Sequence, residues 1–252
     1  METTSTVTAV AKSSFKKKLL IALIAVVAGA TLVAASVAGT VAYLTSSSAV
    51  SNTFTIGNVS MKMLESPVDE NGKIPADYQL VDGMKTSDGN NYHLLPGTTY
   101  DKDPTVYITA GSDASFIFVK IRNQISSIED PSKPTMAQQM IANGWVLLGN
   151  TVSGDVYVYH GLTDGTPNAN PLPVDGKNDS TGTAEMAVLN IFSTFSIAPD
   201  ADISLYGGAK VTLTAFAIQA SGFDATTEGA KEAWAQILSA YPYEDGTLQS
   251  GS

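Results

Sequence analysis

A mainly all-β domain, built as a β-sandwich with a short peripheral helix and a C-terminal helix, is the fold the sequence predicts. Three observations carry this. Short stretches alternate apolar and polar residues with the period of two that a pleated strand imposes. Clusters of Gly, Pro, Asn and Asp separate these stretches. A hydrophobic content of 44% over 252 residues suffices to fill one core.

From Ser51, Phe54 and Ile56 point to one side and Thr53 and Thr55 to the other; Gly57-Asn58 interrupts, and Val59, Met61 and Met63 resume the alternation. One strand with a bulge or kink at Gly57 is expected. Residues 66–91 are rich in Asp, Gly, Asn and Pro and read as loop, with one short strand near Tyr78–Val81. Tyr92–Leu95 is a short apolar piece ended by Pro96-Gly97. Thr105–Ala110 sets Val106, Ile108 and Ala110 on one face, and Gly111-Ser112-Asp113 turns the chain into Ala114–Asn123. That segment is the strongest strand, with Ile117, Val119 and Ile121 on one face and Phe116, Phe118, Lys120 and Arg122 on the other.

Thr135–Asn143 favours a short helix ended by Gly144. Trp145–Leu148 and Val156–His160 read as a hairpin around Gly149–Asp155, and residues 161–183 as a second polar loop. Val188–Ile197 and Lys210–Gln219 are strands; the latter alternates Val211, Leu213, Ala215 and Ala217 against Thr212, Thr214, Phe216 and Ile218. Thr227–Ala240 is an amphipathic helix with Ala230, Trp234, Ile237 and Leu238 on its buried side.

Ahead of these elements Lys16-Lys17-Lys18 precedes an uncharged run beginning LLIALIAVVAGATLVAASVAG. A run of about 20 apolar residues is long enough to stay as a membrane helix, or it is a signal peptide removed after small residues. Gly29, Ala30, Ala34, Ala35, Ser36, Ala38 and Gly39 dilute its end, Thr40 and Ala42 offer a cleavage site before Tyr43, and no basic residue follows until Lys62. The expected organisation is a signal peptide over residues 1–42, cut between Ala42 and Tyr43, and a sandwich domain over residues 43–252, touching the membrane only through the uncut leader.

The chain has no cysteine, which excludes disulfides and thiolate chemistry. Its formal charge is −10; the first 42 residues hold four lysines against Glu2 alone, leaving ten basic and 23 acidic residues, net −13, for the rest. Such a body lacks the basic footprint of a nucleic-acid binder. His93 and His160 are the only histidines, no HExxH or GxSxG motif occurs, and no carboxylate pair is nominated for acid–base work. No cofactor is expected. Calcium at Asp69, Glu70 and Asn71 or at Asp175, Asn178 and Asp179, and zinc at a histidine joined by distant carboxylates, are the ions such groups would take. Trp145, Tyr157 and Tyr159 are the aromatics that could stack on sugars if exposed; in strands such residues more often pack in a core.

Three segments together resemble a known family. Ala42–Met63 (AYLTSSSAVSNTFTIGNVSMKM) has an aromatic just after the leader and an N-x-F-x-x-G-x-V strand. Leu94–Ile121 (LLPGTTYDKDPTVYITAGSDASFIFVKI) has a Pro-Gly turn, a Lys-x-Pro step and two strands. Val211–Asp224 (VTLTAFAIQASGFD) is followed by a helix holding Ala233-Trp234. Their order and spacing resemble the TasA/camelysin family. The resemblance implies a jelly-roll sandwich, secretion from a Gram-positive bacterium after cleavage by a SipW-type signal peptidase, and, for TasA-like members, self-association into biofilm-matrix filaments, with an accessory matrix protein as a further partner. Some members carry the metallopeptidase label of camelysin; the matching residues here are hydrophobic or turn-forming, which favours structure over catalysis.

Cleavage would free Tyr43–Ile56, whose Tyr43, Leu44, Val50, Phe54 and Ile56 are the candidate residues of a strand donated to the open sheet edge of a neighbour. The alternative for residues 51–63 is the first strand of their own domain, which leaves Tyr43–Val50 as the better donor. The expected function is a secreted structural protein of the extracellular matrix or cell surface. A camelysin-like secreted metallopeptidase, or a surface adhesin or carbohydrate-binding module, are the alternatives.

Overall fold

The computed structural model describes residues 42–45, 53–78, 89–178, 180–241 and 246–249. The expected leader up to residue 41, Val50, Asp179 and the expected strand beyond Tyr78 lie outside the described residues; Tyr78 itself is not in a strand.

Along the described chain come β1 (Ala42–Thr45), β2 (Thr53–Ile56), β3 (Met61–Leu64), β4 (Asn91–Leu94), β5 (Thr99–Asp101), β6 (Thr105–Ile108) and β7 (Ser115–Asn123). A 3-10 turn at Ser126–Ile128 leads to helix α1 (Met136–Ala142), then to the hairpin of β8 (Trp145–Thr151) and β9 (Gly154–Tyr159). The small hairpin of β10 (Leu162–Thr163) and β11 (Thr166–Pro167) follows, then β12 (Ala187–Asn190) and β13 (Thr194–Ser196). A second 3-10 turn at Ile203–Tyr206 precedes β14 (Val211–Gln219) and helix α2 (Thr227–Ala240).

The expected β-sandwich with two helices is what forms. One layer is a five-stranded sheet in the order β2-β14-β7-β9-β8, antiparallel except for the parallel β2–β14 pair. Facing it lie β12-β6-β3 and the pairs β1–β4 and β13–β5. The alternation read in the sequence sorts the side chains. Ile117, Val119 and Ile121 of β7 and Val211, Leu213, Ala215 and Ala217 of β14 join Met61, Met63, Leu94, Val106 and Ile108 in the core between the layers.

The opposite face of the five-stranded sheet is apolar too. Phe116 and Phe118 of β7, Val156 and Val158 of β9, and Phe216 and Ile218 of β14 pack with Ala230, Ala233, Trp234 and Ile237 of α2. The helix is therefore a third layer. Trp234 meets Phe216 edge-on at 4.9 Å and Phe118 at 5.5 Å, and its Nε1–H donates to the Gly246 carbonyl at 2.7 Å. The Thr226 hydroxyl caps α2 by accepting the Gly229 N–H, and a capping box of Thr135 with Gln138 starts α1.

Two single strands expected from the sequence are each divided. At Gly57 the chain leaves one sheet for the other, so Thr53–Leu64 is β2 and β3 in different layers rather than one kinked strand. Gly57 has φ +95°, and a Cβ there would sit 2.7 Å from Gln219 Cβ. Only glycine fits a left-handed turn in such close contact. Likewise Val188–Ile197 becomes β12 and β13, interrupted over 191–193 where Ile191 and Phe192 are fully buried.

Burying a large aromatic side chain contributes a few kcal/mol, and truncating one costs the transfer term plus the cavity left behind. Trp234→Ala is therefore expected to lower the unfolding free energy by about 3–5 kcal/mol in denaturant titrations. Leu205→Ala, at a side chain 85% exposed, is expected to leave it within about 0.5 kcal/mol.

Candidate functional site

The candidate donor residues fall on strands of the chain's own sheets. Tyr43 and Leu44 lie in β1, whose register on β4 pairs Ala42 with Leu94, Tyr43 with His93, Leu44 with Tyr92 and Thr45 with Asn91. Phe54 and Ile56 lie in β2, in parallel register with Phe216 and Ile218 of β14. Phe54 stacks on Phe216 at 5.2 Å and packs against Tyr241 at 4.5 Å, while the Tyr241 hydroxyl donates to the Thr55 carbonyl at 2.9 Å. The alternative of a domain-internal strand thus describes β2 and β3.

The sheet edges differ in how they are guarded. At β8 a bulge between Leu147 and Gly149 breaks the ladder, and the Gln249 N–H donates to the Asn150 carbonyl. At β12, Val188 is 53% exposed, and the antiparallel register on β6 turns the backbone groups of residues 188 and 190 outward. The Asn190 carbonyl accepts from Trp145 Nε1 at 2.8 Å. At β4 the ladder neighbour among the described residues is β1 alone, although Tyr92 and Leu94 are fully buried in the core.

Beside β4 lies a polar cluster that sequence reasoning did not single out, beyond noting the Lys-x-Pro step at 102–104. Glu65 follows β3, Asn90 precedes β4 and Lys102 follows β5; the Glu65 and Lys102 side chains are 1% and 0% exposed. Lys102 Nζ donates to both Glu65 oxygens, at 2.9 Å to Oε1 and 2.8 Å to Oε2. Asn90 Nδ2 donates to the same Oε1 at 2.7 Å and to the Ser66 carbonyl at 2.9 Å. Asn90 Oδ1 accepts the Val68 N–H at 3.2 Å, and the Tyr92 hydroxyl stands 3.5 Å from Glu65 Oε1. Asp103 accepts from the Ser66 N–H and hydroxyl, and burial raises its carboxyl above the usual range.

The other candidates separate in space and in role. Among the described residues no three His, Cys, Asp or Glu side chains gather as a metal group. Asp69 Oδ1 accepts the N–H groups of Asn71 and Lys73, and Asn178 Oδ1 those of Ser180 and Thr181, so both work as turn formers. Asp175 accepts from the Lys177 N–H, and Asn178 also donates to Glu185. Trp145 and Tyr157 are buried and Tyr159 is half-buried, so these aromatics present no open stacking platform.

A cleft of about 400 Å³ opens between α1 and the β8–β9 turn, lined by Arg122, Glu129, Thr135, Asp155 and Tyr157. Burial raises the Glu129 carboxyl, and burial with nearby Asp155 and Glu129 pushes the Tyr157 hydroxyl up to about 12. Glu129 spends Oε2 on the Met136 N–H and Oε1 on Asn123, which anchors the start of α1. No helix among the described residues is long and apolar enough to cross a membrane.

Compared with family models, curated proteins and solved structures, the chain matches none.

His160 supplies a test of pH dependence. It is buried, its Nδ1 lies 2.7 Å from the Asn168 carbonyl, and burial lowers its pKa below 6.5. The folded state thus binds fewer protons here than the unfolded chain. The contribution is full above pH 6.5 and is lost as pH falls through the folded value. The raised carboxyls of Glu129 and Asp103 act in the opposite sense. Wild type is expected to lose stability on acidification from pH about 7 to about 5 relative to His160→Gln, with an NMR midpoint for His160 below that of a free histidine.

Proposed function

We propose that this protein is a secreted structural subunit that assembles outside the cell by strand exchange once residues 1–42 are removed. One observation carries the reading. Strand β4 holds two fully buried core residues, yet among the described residues only the four-residue β1 is its ladder neighbour. Residues 43–45 of a second copy, which cleavage leaves in place, can make the same backbone bonds to that edge. Repeated head to tail without closure, the exchange gives a filament.

The resemblance to TasA-like matrix proteins agrees with this, as does an acidic, cysteine-free body behind a basic, apolar leader. A SipW-type signal peptidase would trigger assembly by releasing the segment, and the product would belong to the extracellular matrix or cell surface. No observation among the described residues favours the metallopeptidase or the carbohydrate-binding alternative.

The natural absence of cysteine makes an engineered bridge unambiguous. Tyr43→Cys and His93→Cys, at partnered positions of β1 and β4, are combined in the secreted protein and oxidised. The expected result is a ladder of covalent multimers on a non-reducing gel, with the secreted chain beginning at Tyr43 by N-terminal sequencing. A bridge found only within single chains, in a processed protein that stays monomeric at high concentration, overturns the reading.

A further inference from the structure

The cluster at Glu65, Asn90 and Lys102 holds more than an ion pair needs. A buried Lys–Glu pair is stable when its donors and acceptors are satisfied, and nothing in that requires a carboxamide on the same carboxylate oxygen. Here Glu65 Oε1 accepts from Lys102 Nζ and from Asn90 Nδ2 together, which sets an amine beside a carboxamide with a carboxylate touching both. All three residues are at least nine-tenths buried. The Val68 N–H on Asn90 Oδ1 is placed to stabilise negative charge on that oxygen. Tyr92, Tyr100 and Phe195, packed against one another at 5.0–5.7 Å, form the aromatic group beside it.

We propose that these residues form a self-crosslinking centre in which Lys102 and Asn90 join as an intramolecular isopeptide bond, with Glu65 carrying the protons. Lys102 passes a proton from its ammonium to Glu65. The freed amine attacks Cγ of Asn90, and the oxyanion forms against the Val68 N–H. Glu65 relays a second Nζ proton to Nδ2, the Cγ–Nδ2 bond breaks and ammonia leaves. The new bond is Cγ–Nζ, and no oxidant or cofactor is consumed. The ammonium and the carboxylate end as a neutral amide and a neutral acid, which removes two charges from a site buried away from bulk solvent. The bond ties the residue before β4 to the residue after β5, a covalent staple in a chain that can form no disulfide. The bond does not depend on strand exchange and would form in a monomer.

Intact-mass spectrometry of the denatured full-length protein tests this on wild type alone. The expected mass is below the sequence value by about 17 Da, one ammonia lost to an attacking amine. Peptide mapping is expected to show Asn90 and Lys102 in one branched fragment, with no tryptic cut after Lys102. Lys102→Arg and Glu65→Gln are expected to keep the full mass. An unchanged wild-type mass after prolonged incubation of folded protein overturns the proposal. So does a loss that persists in Lys102→Arg, which marks a succinimide, or a loss of about 18 Da that maps to Lys102 and Glu65.

Discussion

The ladder between β7 and β14 governs the architecture because both of its faces are apolar. Nine residues of each strand pair without interruption, from Val211 opposite Asn123 to Gln219 opposite Ser115. A strand pair buried on one side only would leave a sandwich of two layers. Here Phe116, Phe118, Phe216 and Ile218 point away from the sandwich core and would meet water unless something covered them. Helix α2 supplies the cover, with Trp234 set against both phenylalanine rings of the ladder's centre. Lys120 and Arg122 are the charged residues of β7 on that face; Lys120 is 9% exposed and its Nζ stands 5.9 Å from the Phe216 ring centre. Its stem packs with the apolar face, and its charge meets an aromatic surface.

The facing layer is held differently. Strands β4 and β5 are neighbours in the chain yet belong to different ladders, β4 with β1 and β5 with β13. Tyrosine hydroxyls join them instead. Tyr92 on β4 donates to the Asp101 carbonyl at the end of β5, at 2.8 Å. Tyr100 on β5 donates to the His93 carbonyl of β4 at 2.6 Å and accepts the Leu95 N–H at 2.7 Å. Glu65, Asn90 and Lys102 close the same junction from below, joining the ends of β3, β4 and β5. Breaking such a buried pair by removing one partner leaves an uncompensated charge and costs about 3–5 kcal/mol, whatever the intact pair contributes.

Sequence patterning made the central sheet legible because its periodicity is direct. The two faces of Ala114–Asn123 and Lys210–Gln219 were sorted residue by residue, and the C-terminal helix lies over the expected Thr227–Ala240. Strand continuity was less legible. An alternating run does not reveal that the chain changes sheets, so the run from Ser51 to Met63 and Val188–Ile197 read as single strands. The β10–β11 hairpin has a local signal inside the polar stretch 161–183: Asp164-Gly165, with φ +51° and +75°, is the dipeptide that a tight hairpin turn favours. The buried cluster was hidden for another reason. Glu65, Asn90 and Lys102 come from three separated segments, and each looks like a polar residue at a strand end, where solvation is the ordinary fate.

That construction bears on how a subunit could exchange its first strand without coming apart. A strand held by ladders on both sides loses half its backbone bonds when one neighbour leaves, and its buried side chains are then poorly anchored. Strand β4 is held to β5 by Tyr92 and Tyr100, and beneath by the Glu65 cluster, none of which involves β1. Its core residues Tyr92 and Leu94 therefore keep their places whether the ladder partner comes from the same chain or from another. In the proposed assembly the cost of releasing what cleavage leaves of β1, Tyr43–Thr45, is three residues of backbone pairing, which the incoming copy restores in kind. The equilibrium then turns on what cleavage frees and on local concentration rather than on remodelling the core. A covalent link between Asn90 and Lys102 would act in the same direction, since it would fix the acceptor strand while leaving its open edge untouched.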